Sequence, residues 1–261
     1  RLVDWFRRAW PCMLVVDVSV EIALLARLCG VPTIFVRQRG TRSDSAHSLA
    51  YDSATRLLAP YPRELDEPSI QKEWVAKTDY VGLVSRYGRT TRQCESKPFH
   101  VTVICGHGGT QFTIADVAAA ARASGDWQWT VTGPVSGEGG DLPSNLELVG
   151  TVSEPLPWLA SASVVVGSCG DTLVGEVADL RCPFVCIPEA RPFDEQRSVA
   201  KLLAASGLAI HCPEWPIAHK WSSILEQALQ LDVTRWNTAT DGEGAARAAD
   251  VIIKTAQQIF Q

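Results

Sequence analysis

The sequence lacks the features that mark membrane-spanning, disulfide-rich and metal-binding proteins. Its 261 residues contain no apolar run near the roughly 20 residues that cross a bilayer, and no signal peptide is visible. Eight cysteines are present, but no two form a CxxC pair, and most lie in apolar stretches, as Cys105 and Cys186 do. These absences favour buried, reduced thiols over disulfides or a metal site, and they predict a cytoplasmic protein.

A strong excess of charge is also missing. The sequence has 24 basic and 29 acidic residues and a net charge of -5, with no internal repeat or low-complexity tract. This balance excludes bulk electrostatic attraction to nucleic acid, although local basic clusters can still bind anions. Hydrophobic residues at 46% and charged residues at 20% are ordinary for a globular protein, and the length suffices for one large domain or two modest ones.

The sequence does have a regular alternation of short apolar strands and helical periods. The segment at residues 164–166 consists of valine alone. Strands this apolar are buried on both faces, so the pattern predicts an α/β protein with Rossmann-like, doubly wound parallel sheets. We expect strands at residues 13–17, 33–36, 56–59, 100–105, 129–132, 146–149, 164–166, 184–187 and 208–211. We expect helices at residues 20–29, 112–123, 156–161, 172–180, 196–205, 217–229 and 245–260.

A polar, basic stretch without periodicity at residues 86–97 predicts a linker between two domains. We expect an N-terminal domain over residues 1–85, a second domain over residues 98–242 and a closing helix over residues 243–261. The first domain has only about three predicted strands, few for an independent core, and the chain opens on an arginine inside a predicted helix. We therefore expect the beginning of this domain to be missing, either because the chain is a fragment or because a partner chain carries it.

Two glycine-rich loops each connect a predicted strand to the following helix, at residues 106–110 and 167–172. Glycine lets a backbone approach an anion closely, and a helix start offers free N–H groups, so both loops are candidate phosphate sites. The alternative for each is a tight turn without a ligand, since neither matches a Walker A or a GxGxxG pattern. Thr110 is placed either to cap the next helix or to bond a phosphate oxygen. The candidate residues are Gly106, Gly108, Gly109, Thr110, Ser168, Cys169, Gly170 and Thr172.

Further polar side chains follow these loops. Glu176 comes one helical turn after the second loop, where its carboxylate could accept hydrogen bonds from two ribose hydroxyls; the alternative is a solvated helix glutamate. A third loop, residues 187–196, brings an acidic pair and a glutamine to the start of a helix. Asp194, Glu195 and Gln196 could bond sugar hydroxyls there, or the two acids could simply cap the helix.

In this order, the features resemble the donor site of GT-B glycosyltransferases. Between residues 164 and 207, a strand, a small-residue loop, a helix bearing Glu176, a P-x-x-x-P segment and an acid–Gln pair follow one another. The sequence is most similar to the branch that contains the peptidoglycan N-acetylglucosaminyltransferase and the macrolide and plant UDP-sugar transferases. The similarity covers most of residues 98–261, and residues 241–249 fit the start of that branch's closing helix.

The resemblance implies a role for each candidate residue. Glu176 would bind the ribose of a nucleotide-sugar donor, UDP-linked in most of this branch. The two glycine-rich loops would line the diphosphate, and Asp194, Glu195 and Gln196 would face the donor sugar. No metal or other cofactor is implied, because helix dipoles and backbone N–H groups neutralise the leaving diphosphate. Asp171 departs from the family's small neutral residue: it would repel phosphate unless it points away as a helix N-cap, or it marks a different donor.

The first domain adds candidates of its own. Arg37, Arg39 and Arg42 follow a predicted strand and could hold an anionic acceptor such as a lipid phosphate; the alternative is a solvated basic loop. Residues 1–10, which are rich in tryptophan and arginine, could touch a partner chain or the inner face of a membrane. The alternative for this stretch is a packed helix with a basic outer face.

An inverting transferase needs a general base to accept the proton of the acceptor hydroxyl. The family takes this residue from an early part of the first domain, which we expect to be absent here. The remaining candidates are Asp17, His47 and His107, of which His107 follows the strand nearest the expected cleft. The alternative for His107 is a loop histidine that the backbone satisfies.

The resemblance therefore predicts a metal-independent glycosyltransferase that moves a sugar from a nucleoside-diphosphate donor to an acceptor with inversion. Two alternatives stay open. One is a nucleotide-sugar epimerase on the same fold, such as the non-hydrolysing UDP-N-acetylglucosamine 2-epimerase. The other is a non-catalytic nucleotide-sugar-binding subunit, which the missing general base favours.

Overall fold

Ten strands and ten α-helices alternate in a computed structural model that describes residues 1–88, 96–138 and 140–261. The strands are β1 (Leu14–Asp17), β2 (Thr33–Val36), β3 (Arg56–Ala59), β4 (Thr78–Tyr80), β5 (His100–Ile104), β6 (Gln128–Thr132), β7 (Leu146–Gly150), β8 (Val164–Gly167), β9 (Phe184–Cys186) and β10 (Ile210–His211). The helices are α1 (Leu2–Ala9), α2 (Val20–Leu28), α3 (Ser45–Ser53), α4 (Lys72–Ala76), α5 (Ile114–Ala123), α6 (Leu156–Ser161), α7 (Asp171–Asp179), α8 (Glu195–Ala205), α9 (Trp221–Leu229) and α10 (Gly244–Phe260).

The second domain contains a six-stranded sheet in the order β10-β9-β8-β5-β6-β7, and all its pairings are parallel. The all-valine strand β8 lies at its centre. Val165 joins the hydrophobic core on one face of the sheet, while Val164 and Val166 join the core on the other. The predicted doubly wound architecture is therefore confirmed. The strand order reverses between β5 and β8, and in such sheets ligands bind beyond the carboxyl ends of the strands at this point.

The first domain has four parallel strands in the order β1-β2-β3-β4, one more than the sequence predicts. The additional strand, Thr78–Tyr80, pairs with β3. Its residues are Thr, Asp and Tyr, and all three are half-buried. Without an apolar core of its own, this strand shows no hydrophobic pattern that sequence analysis could detect.

Two crossing segments join the domains. After β4 the chain runs onto the second domain, where the N–H of Leu83 donates to the Ala239 carbonyl at 3.0 Å. At the end of the chain, α10 returns and packs Val251 and Ile252 against the first sheet. The predicted linker, residues 86–97, lies partly outside the described residues, which exclude Arg89 to Glu95.

The described cysteines and helices agree with the composition of the sequence. Seven cysteines are described as thiols, and five of them are buried. No helix within the described residues combines the length and the apolar character needed to cross a membrane.

Candidate functional site

A cavity of about 500 Å³ opens at the carboxyl ends of β5 and β6, at the reversal point of the six-stranded sheet. The loops after β5, β6 and β7 form its walls together with the first two turns of α7 and one side chain from the segment that crosses between the domains. Its lining residues are Arg86, Ile104, Cys105, Gly106, His107, Thr132, Gly133, Thr151, Val152, Ser153, Pro155, Thr172, Leu173 and Glu176.

Glu176 brings a buried carboxylate to the wall of this cavity. Helix α7 is buried along most of its length, and Glu176 is only 2% exposed, so the alternative of a solvated helix glutamate is wrong. One oxygen accepts a hydrogen bond from Arg86 Nε at 2.7 Å. Burial raises the pKa of Glu176 above the ordinary glutamate value, while the hydrogen bond from Arg86 opposes that shift. A buried carboxylate on the wall of a cavity is suited to accepting hydrogen bonds from ligand hydroxyls.

Arg86 lies in the predicted linker, and its contribution to this site was not predicted from the sequence. Its guanidinium is half exposed, and it lies 5.2 Å from the ring of Tyr87 while its Nε holds Glu176. The hydroxyl of Tyr87 in turn donates to Glu154, which follows β7. The basic character of the stretch was visible in the sequence. Its contact with α7 was not, because ninety residues separate Arg86 from Glu176.

The first glycine-rich loop contributes to the cavity through Gly106 and His107. Helix α5 begins at Ile114, later than predicted, and Thr113 is its N-cap in a capping box with Asp116. The expectation that Thr110 caps this helix is therefore wrong. Its hydroxyl instead donates to a backbone carbonyl within the loop at 2.9 Å.

The other residues of the first loop do not share one role. The carbonyl of Gly108 accepts a hydrogen bond from Arg191 Nη2 at 2.8 Å, which ties this loop to the third loop. Gly109 is exposed and has a φ of 82°. The hydrogen bond to Arg191 brings the first and third loops together, although they are about eighty residues apart.

The second loop leads directly into α7. Gly170 is the N-cap and offers no side-chain hydrogen bond, so the first N–H groups of α7 lack a side-chain cap. Thr172 lines the large cavity, and Ser168 is half-buried. Cys169 is 1% exposed and packs in the core, and its N–H donates to Gln196, so neither its thiol nor its N–H is free to face a ligand.

Asp171 does not cap α7, contrary to one of the two expectations for this residue. It is the first residue of the helix, after the N-cap Gly170. Its carboxylate forms an ion pair with Arg39 of the first domain. Arg39 thus compensates the negative charge that departs from the family pattern.

Gln196 holds the second and third loops together. Its Oε1 accepts the N–H of Cys169 at 3.3 Å and the N–H of Glu189 at 2.9 Å. A second cavity of about 110 Å³ lies between the domains beside it. Asp194 occupies the N-cap position of α8 but is exposed, and its side chain pairs with Arg197 at 3.2 Å and makes no capping hydrogen bond, so only the expected side-chain cap is wrong. The lining residues of the second cavity are Gln38, Arg39, Cys169, Gly170, Asp171, Glu195, Gln196 and Val199.

The basic segment of the first domain is not a solvated loop. Arg37, Arg39 and Arg42 are 2%, 2% and 8% exposed. Each is paired with a carboxylate: Arg37 with Asp66, Arg39 with Asp171, and Arg42 with Glu195. An anionic acceptor would therefore have to compete with a carboxylate that is already in place.

The three candidate bases occupy different places. His107 is exposed on the wall of the large cavity. Asp17 ends β1 and accepts a hydrogen bond at 3.3 Å from Nε2 of Gln38, which lines the second cavity. His47 is 8% exposed, with its Nδ1 2.6 Å from Asp44. The structure thus places His107 at the large cavity and Asp17 near the second cavity, through its contact with Gln38.

The sequence matches no model of a known protein family, and it matches no curated protein. Solved structures, in contrast, resemble the chain over nearly its whole length. The kitacinnamycin glycotransferase superposes with a TM-score of 0.71 at 17% identity, covering 97% of this chain and 78% of the other. MurG of Acinetobacter baumannii gives a TM-score of 0.68 at 17% identity, with 97% and 76% covered. The spinosyn rhamnosyltransferase SpnG, complexed with thymidine diphosphate, gives 0.57 at 19% identity, with 97% and 73% covered. The chain therefore has the two-domain GT-B fold of these glycosyltransferases.

Proposed function

We propose that this protein transfers a sugar from a nucleoside-diphosphate donor to the hydroxyl of an acceptor, with inversion at the anomeric carbon. The observation that carries the proposal is the buried carboxylate of Glu176 on the wall of a 500 Å³ cavity, at the point where a doubly wound sheet binds ligands. The GT-B fold supports it, because the compared structures with this fold are glycosyltransferases.

Different parts of the donor occupy the two cavities. In this arrangement the nucleoside occupies the large cavity and its ribose hydroxyls donate to Glu176. The diphosphate lies against the second loop, where the uncapped N–H groups of α7 and the helix dipole favour negative charge. The sugar then points to the cavity between the domains, beside Glu195 and Gln196.

The chemistry needs one proton acceptor and a stabilised leaving group. The acceptor oxygen attacks the anomeric carbon and loses its proton to a base, while the bond to the diphosphate breaks and its electrons leave with the diphosphate. The start of α7 stabilises the leaving charge. His107 and Asp17 are the proposed bases. We expect His107→Gln or Asp17→Asn to lower kcat by about 10²–10⁴-fold. Asp17 does not line the large cavity, so Asp17→Asn should leave nucleotide binding unchanged. A variant that keeps wild-type kcat removes its residue from this role.

Calorimetry with free nucleotides tests the donor site and identifies the nucleobase of the donor. UDP, TDP and GDP are titrated into the wild-type protein and into Glu176→Ala. We expect UDP to bind, and the substitution to weaken binding by about 1–3 kcal/mol through loss of buried hydrogen bonds. TDP is the second choice, because a compared structure contains thymidine diphosphate. The control is Glu226→Ala, an exposed glutamate on α9 that should bind like the wild type.

Product analysis separates the transferase from its alternatives. Sugar transfer that requires an acceptor supports the proposal. A free epimer formed without acceptor would support the epimerase, which the compared structures favour less because they are transferases. Binding without turnover would support a non-catalytic subunit. We also propose metal independence, so transfer should persist in excess EDTA; loss of activity that Mg²⁺ restores would refute this.

We further propose that helix α1 is a contact surface for a membrane or a partner chain. Val3, Trp5 and Trp10 are 51%, 48% and 59% exposed, and Arg7 and Arg8 lie beside them. Exposed tryptophans flanked by arginines are suited to an anionic lipid interface. Sedimentation with phosphatidylserine vesicles, compared with phosphatidylcholine vesicles, tests the membrane. Light scattering of the lipid-free protein with a candidate partner tests the alternative, and no association in either experiment removes the proposal.

A further inference from the structure

The segment that begins α8 has an unusual backbone. Phe193 and Asp194 lie consecutively in the left-handed region, with φ values of 61° and 52°. Residues other than glycine disfavour this region, because their Cβ crowds the neighbouring carbonyl oxygen. Two such residues in succession persist only where surrounding contacts hold them.

The first domain supplies these contacts. The N–H of Thr41 donates to the Phe193 carbonyl at 2.8 Å, and the Arg42 guanidinium lies 4.4 Å from the centre of the Phe193 ring. The ring of His47 lies 4.8 Å from the same ring. At Gly40, whose φ is 95°, a Cβ would come within 2.4 Å of the Phe193 carbonyl oxygen, so this close approach requires glycine.

Arg42 holds the next residue as well. Its Nη2 lies 2.9 Å from Oε2 of Glu195, and its side chain is 5% exposed while that of Glu195 is 37% exposed. One planar guanidinium therefore stacks on Phe193 and binds Glu195 at the same time. Lysine cannot replace it in both contacts, because an ammonium group has neither the flat face nor the fork of donors.

The position of this segment shapes the cavity between the domains. Glu195 and Gln196 line that cavity together with Gly170. The second loop has its own anchor, because the Oε1 of Gln196 accepts the N–H groups of Cys169 and Glu189 without any contribution from Arg42.

We propose that Arg42 is a positioning residue for the donor sugar, an inference that rests on the proposed function. A side chain of the first domain fixes the turn and the carboxylate that the second domain presents to the sugar. The large cavity, where the nucleoside binds, does not include Arg42. Loss of Arg42 therefore affects recognition of the sugar and leaves recognition of the nucleoside diphosphate unchanged.

The test compares free and sugar-bearing nucleotides. UDP, TDP, UDP-glucose and TDP-glucose are titrated by calorimetry into the wild type, Arg42→Gln and Arg42→Lys. We expect either variant to bind the nucleoside diphosphate within twofold of the wild type and the sugar nucleotide at least tenfold more weakly. Glu195→Gln should act in the same way. The double variant should bind the sugar nucleotide no more than twofold more weakly than either single variant, because both substitutions remove the same interaction.

The matched control is Arg56→Gln, which removes an ion pair with Asp79 within the first sheet. It should bind all four nucleotides like the wild type. Hydrogen exchange of the ligand-free protein gives a second measurement. Peptides covering residues 190–200 should exchange at least fivefold faster in Arg42→Gln, and unchanged in Arg56→Gln, while peptides from the core of the second domain stay protected in both.

The outcomes separate the inference from the proposed function. If Arg42→Gln binds the sugar nucleotide as tightly as the wild type, Arg42 does not position the sugar. The same conclusion follows if the affinities for UDP and UDP-glucose fall by the same factor. If the wild type binds no nucleotide, the proposed function fails and the inference fails with it. Unchanged exchange at residues 190–200 would overturn the structural basis of the inference in either case.

Discussion

Glu176 is the residue for which burial and function are most closely linked. Its carboxylate is buried, and burial raises its pKa while Arg86 opposes the shift. Ribose hydroxyls need the ionised form as acceptor, so nucleotide binding should weaken on acidification at a pH where exposed glutamates, with a pKa of about 4.3, are still ionised. Calorimetry over a pH series that descends from about pH 8 toward the ordinary glutamate pKa of about 4.3 should show this loss. Glu176→Gln should give weaker and flat binding; a pH dependence that survives in this variant would assign the titration to another group.

The raised pKa of Glu176 has the opposite effect on folding stability: acidification weakens nucleotide binding but favours the folded state. A carboxyl group whose pKa is higher in the folded state than in the unfolded state is penalised when it ionises. The folded protein is therefore free of this penalty below the ordinary glutamate pKa, and the penalty develops as the pH rises through the raised value. Glu176→Gln removes this penalty. Near neutral pH and without ligand, we therefore expect that the loss of the charge does not by itself lower the free energy of unfolding.

Gly175 shows how one missing methyl group positions the site. A Cβ there would come within 2.4 Å of the Val84 carbonyl oxygen and 3.2 Å of Ser85 Cβ, so the crossing segment lies flush against α7. We expect Gly175→Ala to lower the free energy of unfolding by about 1–3 kcal/mol and to move Arg86 away from Glu176. Chemical denaturation measures this. Gly125→Ala, which meets nothing within 4 Å, is the control and should stay near the wild type.

At the scale of elements, the capping of α5 explains why this helix starts away from the first loop. Thr113 accepts the N–H of Asp116, and the Asp116 carboxylate accepts the N–H of Thr113. We expect Thr113→Ala to lower the free energy of unfolding by about 1 kcal/mol, because the Asp116 N–H loses its acceptor and the Asp116 carboxylate loses the Thr113 hydroxyl. Thr113→Ser keeps the hydroxyl and should retain most of the stability. Equal losses in the two variants would mean that the methyl group, not the hydrogen bond, matters.

Elements were predictable wherever burial forced a pattern on the sequence. The central strands of the second domain are mostly apolar because they are buried on both faces, and β8 is the extreme case. Strand β4 was not predicted, because its three residues are only half-buried and form no apolar pattern. The start of α5 was misplaced because Phe112 is buried and extends the apolar period of the helix into the loop.

At the scale of the whole molecule, α10 ties the end of the chain to the first domain. Val251 and Ile252 pack on the core that includes Ile34 and Leu58, whereas Ile253 is 55% exposed. We expect Val251→Asp to lower Tm and to expose the first domain to proteolysis before the second, because an unpaired charge on this partly buried, apolar contact is costly. Ile253→Asp should change neither. Simultaneous proteolysis of both domains in Val251→Asp would show that α10 does not stabilise the first domain selectively.

The sequence by itself determined the local chemistry of this protein: the alternation of strands and helices, the strand-to-helix loops, and the residues gathered in them. Burial on both faces of a parallel sheet leaves a continuous apolar signal, and turns at strand ends need glycine and small polar residues, so both are readable without coordinates. The tertiary structure alone decided which of these residues meet. It paired Asp171 with Arg39, Glu176 with Arg86 and Glu195 with Arg42. Each pair joins residues at least ninety positions apart, and nothing local specifies such a contact, because it depends on how two separately folded sheets come together across the cleft.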